Sequence, residues 1–188
     1  MTTIISIKGK NERMGKLFKT PKYNLLYKGR PALEQTVEYM SQFGEVKVMT
    51  HENSPPDTGI VDMLLQMDLP EQFFVVDCDV IPIRLNKPEG TTVYCFENPN
   101  RQFKTYSNFS LLNDNVLTCN EKETPFDWCG TGVYYFEHDG SFKEYAKGCN
   151  SLAQVIAKVC DKIHVKADTT SEIFRFGSLQ TILNNECN

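Results

Sequence analysis

The sequence predicts an α/β fold built as one domain over residues 1–188: three layers, with a mostly parallel mixed sheet carrying helices on both faces. Three observations predict it. Short apolar, β-branched runs alternate with segments of helical spacing as far as residue 79, the order expected of a parallel sheet covered on both sides. The later half is richer in strand-like runs. A chain of 188 residues suits a single core, since domains typically hold about 100–200 residues.

The first strand is expected over 4–7, where Ile4-Ile5-Ser6-Ile7 ends at Lys8-Gly9. A second short strand is expected over 23–27, and Lys28-Gly29 reads as a turn. Pro31 suits the first turn of a helix whose apolar face is Leu33, Val37 and Met40, and Gly44 ends it. A strand over 46–49 follows. Asn53-Ser54-Pro55-Pro56-Asp57 is a loop by composition, and Thr58 can cap a helix presenting Ile60, Leu64 and Met67. Phe73-Phe74-Val75-Val76 is a buried strand ending at Asp77-Cys78-Asp79. Further strands are expected over 91–96, 105–112, 116–119 and 132–136, with Asn113-Asp114-Asn115 as a hairpin turn. Helices are expected over 142–147 and 152–159, a strand over 163–165, and a last helix from Ser178.

Composition removes several function classes. The formal charge of −4 argues against a nucleic-acid partner, which would call for clustered excess Lys and Arg. Seven cysteines, an odd number with none in a C-x-x-C pair, support neither a disulfide framework nor a zinc site. The N-terminal residues do not read as a signal peptide, and no window approaches the roughly 18 apolar residues of a membrane span. Reduced thiols in a cytoplasmic protein are the expectation.

In an open parallel sheet, ligands bind beyond the carboxyl ends of the strands. Two clusters fall there. The loop over 9–19 carries Lys10, Arg13, Lys16 and Lys19, with Lys8 and Lys22 flanking it. Gly9 lets the backbone approach a ligand, and Arg13 offers a planar fork, so the loop suits a polyphosphate. The second cluster is Asp77-x-Asp79. Mg²⁺ prefers oxygen ligands and keeps several waters, so one or two carboxylates suffice for a metal–nucleotide. Asp is also favoured at strand-end turns, and a lysine-rich loop can simply be solvated.

Taken together, these residues resemble the sugar-phosphate nucleotidyltransferases, whose fold is glycosyltransferase-A-like and Rossmann-like. The resemblance rests first on Lys8-Gly9-Lys10-Asn11-Glu12-Arg13-Met14-Gly15-Lys16 followed by Pro21-Lys22, and then on Gly29-Arg30-Pro31-Ala32-Leu33. It continues through Asp57-Thr58-Gly59, Val75-Val76-Asp77-Cys78-Asp79, Thr118-Cys119-Asn120-Glu121-Lys122 and Gly130-Thr131-Gly132. The chain departs from the family pattern at Asn11, where a second loop glycine is usual. It departs again at Arg175, where a second metal-binding Asp is usual; Asp77 or Glu172 are the acids left to take that part.

The resemblance implies transfer of a nucleoside monophosphate from a nucleoside triphosphate to a phosphorylated small-molecule acceptor, a sugar phosphate by analogy, with release of pyrophosphate. Arg13, Lys22 and Asp79 are the implied catalytic residues. Ile7, Lys8, Gly9, Lys10, Asn11, Gly59 and Asp77 would bind the nucleotide, and Lys122 and Gly132 the acceptor. Mg²⁺ would be held by Asp79 and Asp77. Two other readings stay open: a glycosyltransferase of the same fold using a nucleotide-sugar donor, and a non-catalytic nucleotide-binding module. Asp79→Ala is expected to lower nucleotide turnover by about 3–4 kcal/mol in the barrier, as measured by pyrophosphate release; unchanged turnover would remove Asp79 from the reaction centre.

Overall fold

The computed structural model describes residues 1–7, 22–50, 59–101, 106–121, 125–138 and 140–176. The basic loop over 9–19, Lys122 and the helix expected from Ser178 lie outside the described residues.

The β-branched start of the chain forms β1 (Thr2–Ser6), as the apolar run dictates. The expected strand over 23–27 is instead a 3₁₀ turn, Lys22–Asn24, followed by the two-residue β2 (Leu26–Tyr27). β2 turns back at once into β3 (Arg30–Pro31) through Lys28 and Gly29, both at positive φ (50° and 78°), the geometry of a two-residue hairpin turn. Helix α1 (Ala32–Met40) follows, with Pro31 as its N-cap residue, and then β4 (Glu45–Met49). Helix α2 (Ile60–Gln66) leads to β5 (Gln72–Asp77), and a tight turn leads on to β6 (Val80–Arg84).

The second half supplies β7 (Thr92–Glu97), β8 (Ser107–Leu112), β9 (Asn115–Glu121) and the long β10 (Trp128–Glu137). Asn113 and Asp114, at φ 49° and 60°, close the β8–β9 hairpin as their composition suggested. Helices α3 (Phe142–Ala146) and α4 (Leu152–Cys160) come next. The Ser151 hydroxyl caps α4 by accepting from the Gln154 N–H, while the Gln154 side chain accepts from the Asn150 N–H. β11 (Lys166–Asp168) and β12 (Glu172–Arg175) end the described chain.

Eight strands form one mixed sheet in the order β4-β1-β5-β10-β7-β11-β9-β8. β4, β1 and β5 are parallel neighbours, and β11 is parallel to β7. β10 and β9 run against the other six strands. Most strands therefore share a direction, yet most neighbouring pairs are antiparallel. The sheet is more mixed than the strand–helix alternation of the first half suggested. β6 and β12 form a separate two-stranded ribbon.

Strand alternation places one core on each face. Ile4, Phe73, Val75, Tyr134 and Phe136 join Leu64 of α2, Phe142 of α3 and Ile156 of α4. Ile5, Phe74, Val76, Val133 and Tyr135 join Met40 of α1. A one-residue slip of β1 or β5 would exchange these two sets, so the register is pinned from both sides.

The β6 ribbon is anchored from α1. The buried Thr36 hydroxyl lies 2.6 Å from the Val80 carbonyl and 3.0 Å from that of Ala32, one turn back. Its single proton is best placed for Val80, which ties α1 to the residue directly after Asp79. Thr36→Val is expected to lower unfolding free energy by about 1–2 kcal/mol in a urea titration, with the far-ultraviolet circular dichroism unchanged.

Candidate active site

The candidate site grows from one consequence of register. Ser6, the last residue of β1, pairs with Asp77, the last residue of β5. The chain leaving β1 towards the basic loop and the turn carrying Asp79 therefore leave the sheet side by side. Ile7 stays on the strand path, its N–H donating to the Met49 carbonyl at 3.0 Å. β10 approaches from the other side of β5. Val133 pairs with Val76, which brings Gly132 opposite Asp77.

Gly132 is shaped by that neighbour. Its φ is +94°, and the β10–β7 pairing shifts register between Gly130 and Tyr134, so the strand bulges here. A Cβ on Gly132 would lie 2.6 Å from Asp77 Oδ2. Both the backbone conformation and the space call for glycine. The Thr131 hydroxyl holds the bulge by donating to the Tyr94 carbonyl at 2.9 Å. Bulges of this kind re-aim side chains next to functional sites.

The β6–β12 ribbon delivers a cation to the same place. Arg175 pairs with Val80 in the ribbon, and the Phe176 N–H donates to the Asp79 carbonyl at 2.9 Å. The guanidinium of Arg175 lies between the two acids. Its Nη2 is 3.3 Å from Asp77 Oδ2 and its Nε is 4.0 Å from Asp79 Oδ1. Its Nη1 donates to the Gly130 carbonyl at 3.1 Å. Its Cζ stands 4.6 Å from the centroid of the Tyr106 ring, a cation–π arrangement.

Burial is the largest single influence on Arg175 and disfavours the cation. Asp79, then Asp77, together with the Tyr106 and Tyr134 phenols, outweigh it, and the guanidinium is held above its ordinary value. Asp79 acts more strongly although Asp77 is closer. The Asp79 side chain is 9% exposed against 42% for Asp77, so its charge is less screened by water. The Cys129 thiol nearby is pushed up to about 11 by burial, against the pull of Arg175, and stays protonated at neutral pH. Cys78, between the acids, is half-buried against the α1-side core.

Of the residues singled out from sequence, Asp77, Asp79 and Gly132 are brought together. Gly59 is the N-cap residue of α2, with an ordinary φ of −69°. Lys22 opens the 3₁₀ turn before β2. Lys8, Gly9, Lys10, Asn11, Arg13 and Lys122 lie outside the described residues. Glu172 is not at the site; it pairs with Arg84 at 2.9 Å, at the far end of the ribbon. The Tyr106 platform and the Gly130 carbonyl escaped the sequence reading, because nothing in local spacing marks a residue whose partner is about 70 or 45 positions away.

Comparison with solved structures decides the fold. A phosphocholine cytidylyltransferase from Streptococcus pneumoniae aligns with a TM-score of 0.76 at 12% identity, over 98% of this chain and 97% of that one. A UDP-glucose pyrophosphorylase from Acinetobacter baumanii gives 0.75 at 15% identity, over 98% and 91%. A nucleoside-diphosphate-sugar pyrophosphorylase from Vibrio cholerae gives 0.72 at 15% identity, over the full length of both. The chain has the fold of these nucleotidyltransferases. No protein-family model matches the sequence, and no curated protein does.

The acid pair does not fit a resident divalent ion. The space between Asp77 and Asp79 is taken by a guanidinium, and no cluster of three His, Cys, Asp or Glu side chains suited to a metal exists among the described residues. Gly132→Ala tests how tightly this arrangement is built. The strained φ and the overlap with Asp77 are expected to cost at least about 2 kcal/mol of stability by urea denaturation.

Proposed function

We propose that the chain is a nucleotidyltransferase that moves a nucleoside monophosphate from a nucleoside triphosphate to a phosphorylated acceptor, releasing pyrophosphate. The observation that carries this reading is the Ser6–Asp77 register, by which the chain leaves β1 for the basic segment and β5 for the acidic turn at the same carboxyl end of the sheet. In this reading, Gly9, Lys8, Lys10, Asn11 and Arg13 cradle the leaving pyrophosphate. Lys22 stabilises charge developing at the α-phosphate. Ile7 and Gly59 face the nucleoside, and Lys122 and the backbone at Gly132 face the acceptor phosphate, taken to be a sugar phosphate.

An acceptor phosphate oxygen attacks the α-phosphorus, the α–β bridging P–O bond breaks, and pyrophosphate departs with that oxygen. No covalent enzyme intermediate is needed, and catalysis is positioning and charge neutralisation. Magnesium belongs to this reading as the counter-ion that a triphosphate brings with it. The three-layer, glycosyltransferase-A-like organisation of one domain and a cytoplasmic setting complete it; no described helix is long and apolar enough to cross a membrane.

One observation favours a second reading. Arg175 already neutralises part of the acid pair, which suits a nucleotide-binding module without turnover. A matrix of nucleoside triphosphates against sugar 1-phosphates and alkyl phosphates, read by pyrophosphate release with Mg²⁺ omitted as control, separates the two. The transferase reading expects acceptor-dependent pyrophosphate from at least one pair. Tight nucleotide binding with no pyrophosphate across the matrix would establish the second reading.

A further inference from the structure

The Asp77–Arg175–Asp79 cluster bears on how cations enter the site. Two carboxylates at the end of a central strand would ordinarily attract a divalent ion, because Mg²⁺ selects oxygen ligands and accepts one or two carboxylates with water. Here the chain supplies its own cation. Arg175 is fixed by four independent restraints: its place in the ribbon opposite Val80, the Gly130 carbonyl, the Tyr106 ring, and the acids themselves. It is not a surface arginine that swings away at little cost, since its side chain is only 18% exposed.

Adding a divalent ion between Asp77 and Asp79 would place it against the largely buried guanidinium of Arg175 and the buried Asp79 carboxylate. Like charges at such separations repel strongly where water screens little. Asp79 cannot turn outward to meet an ion without giving up its burial, and Asp77 is confined by the β10 backbone at Gly132.

We propose that Arg175 is a resident cation of this site, and that it prevents Asp77 and Asp79 from binding a free divalent ion, so that metal enters only as a complex with the nucleotide. This rests on the nucleotidyltransferase reading for the nucleotide, but not for the exclusion of metal from the nucleotide-free protein. Arg175 is then a positioning residue: it sets the order in which cation and nucleotide arrive.

The test is a Mn²⁺ titration of the nucleotide-free protein, read by electron paramagnetic resonance. It needs no turnover, so it can fail while the transferase reading stands, and the reverse. The wild-type protein is expected to bind Mn²⁺ at this site no more tightly than about 1 mM. Arg175→Gln is expected to bind at least about tenfold more tightly, and Arg175→Lys, which keeps the charge, to stay close to wild type. Should Arg175→Gln fail to fold, wild type and Asp79→Asn decide the matter. Wild-type binding tighter than about 1 mM that Asp79→Asn abolishes would overturn the proposal, as would Mn²⁺ affinity unaltered in a folded Arg175→Gln.

Discussion

The parallel pairing of β1 with β5 is the constraint on which the rest depends. Its register is held by two cores at once, because Ile4 and Phe73 point to one face while Ile5 and Phe74 point to the other. A shift by one residue would bury the wrong set on each side. The level at which the two strands end is therefore fixed by packing, well away from any chemistry. The two strands end level, Ser6 beside Asp77, where the acidic turn leaves the sheet. An apolar requirement of folding thus places the polar groups of the candidate site.

The polar end of the sheet carries the cost of that placement. Asp79 is buried, and a buried carboxylate is costly without a charge partner and hydrogen bonds. Arg175 supplies the charge, and the ribbon that brings it bonds to the backbone of Asp79 itself. The bulge at Gly132 belongs to the same solution: without the missing Cβ, Asp77 could not sit where the guanidinium reaches it. Replacing such an ionic cluster by apolar groups can leave stability unchanged or raise it, whereas removing one partner strands the other.

Much of this was legible in the sequence. β1 and β5 follow from continuous apolar runs and α1 and α2 from helical spacing, because these elements are buried enough for hydrophobicity to dominate; β4 was legible from Val46-Lys47-Val48-Met49 although it is only partly buried. The β6–β12 ribbon was not, since it is short, partly exposed and contains Pro82. The strand expected over 163–165 lies instead at Lys166–Asp168. There the polar Lys166 N–H pairs with the Thr91 carbonyl, so a tertiary partner overrode the apolar signal of the preceding residues. Asp77 and Asp79 stood out as strand-end acids. The contact that defines them, with an arginine nearly a hundred residues later, left no periodic trace; only the resemblance marked position 175 as unusual.

The central claim is that the basic segment and the acidic turn act on one triphosphate. A double-mutant cycle tests it most directly, using Arg13→Ala, Asp79→Ala and the pair, with affinity for the triphosphate selected by pyrophosphate release measured by calorimetry. Groups that share a ligand couple, and an interaction energy of about 0.5–3 kcal/mol of either sign is predicted. Effects that add to within about 0.3 kcal/mol would mean that the two segments act independently, and would contradict the account.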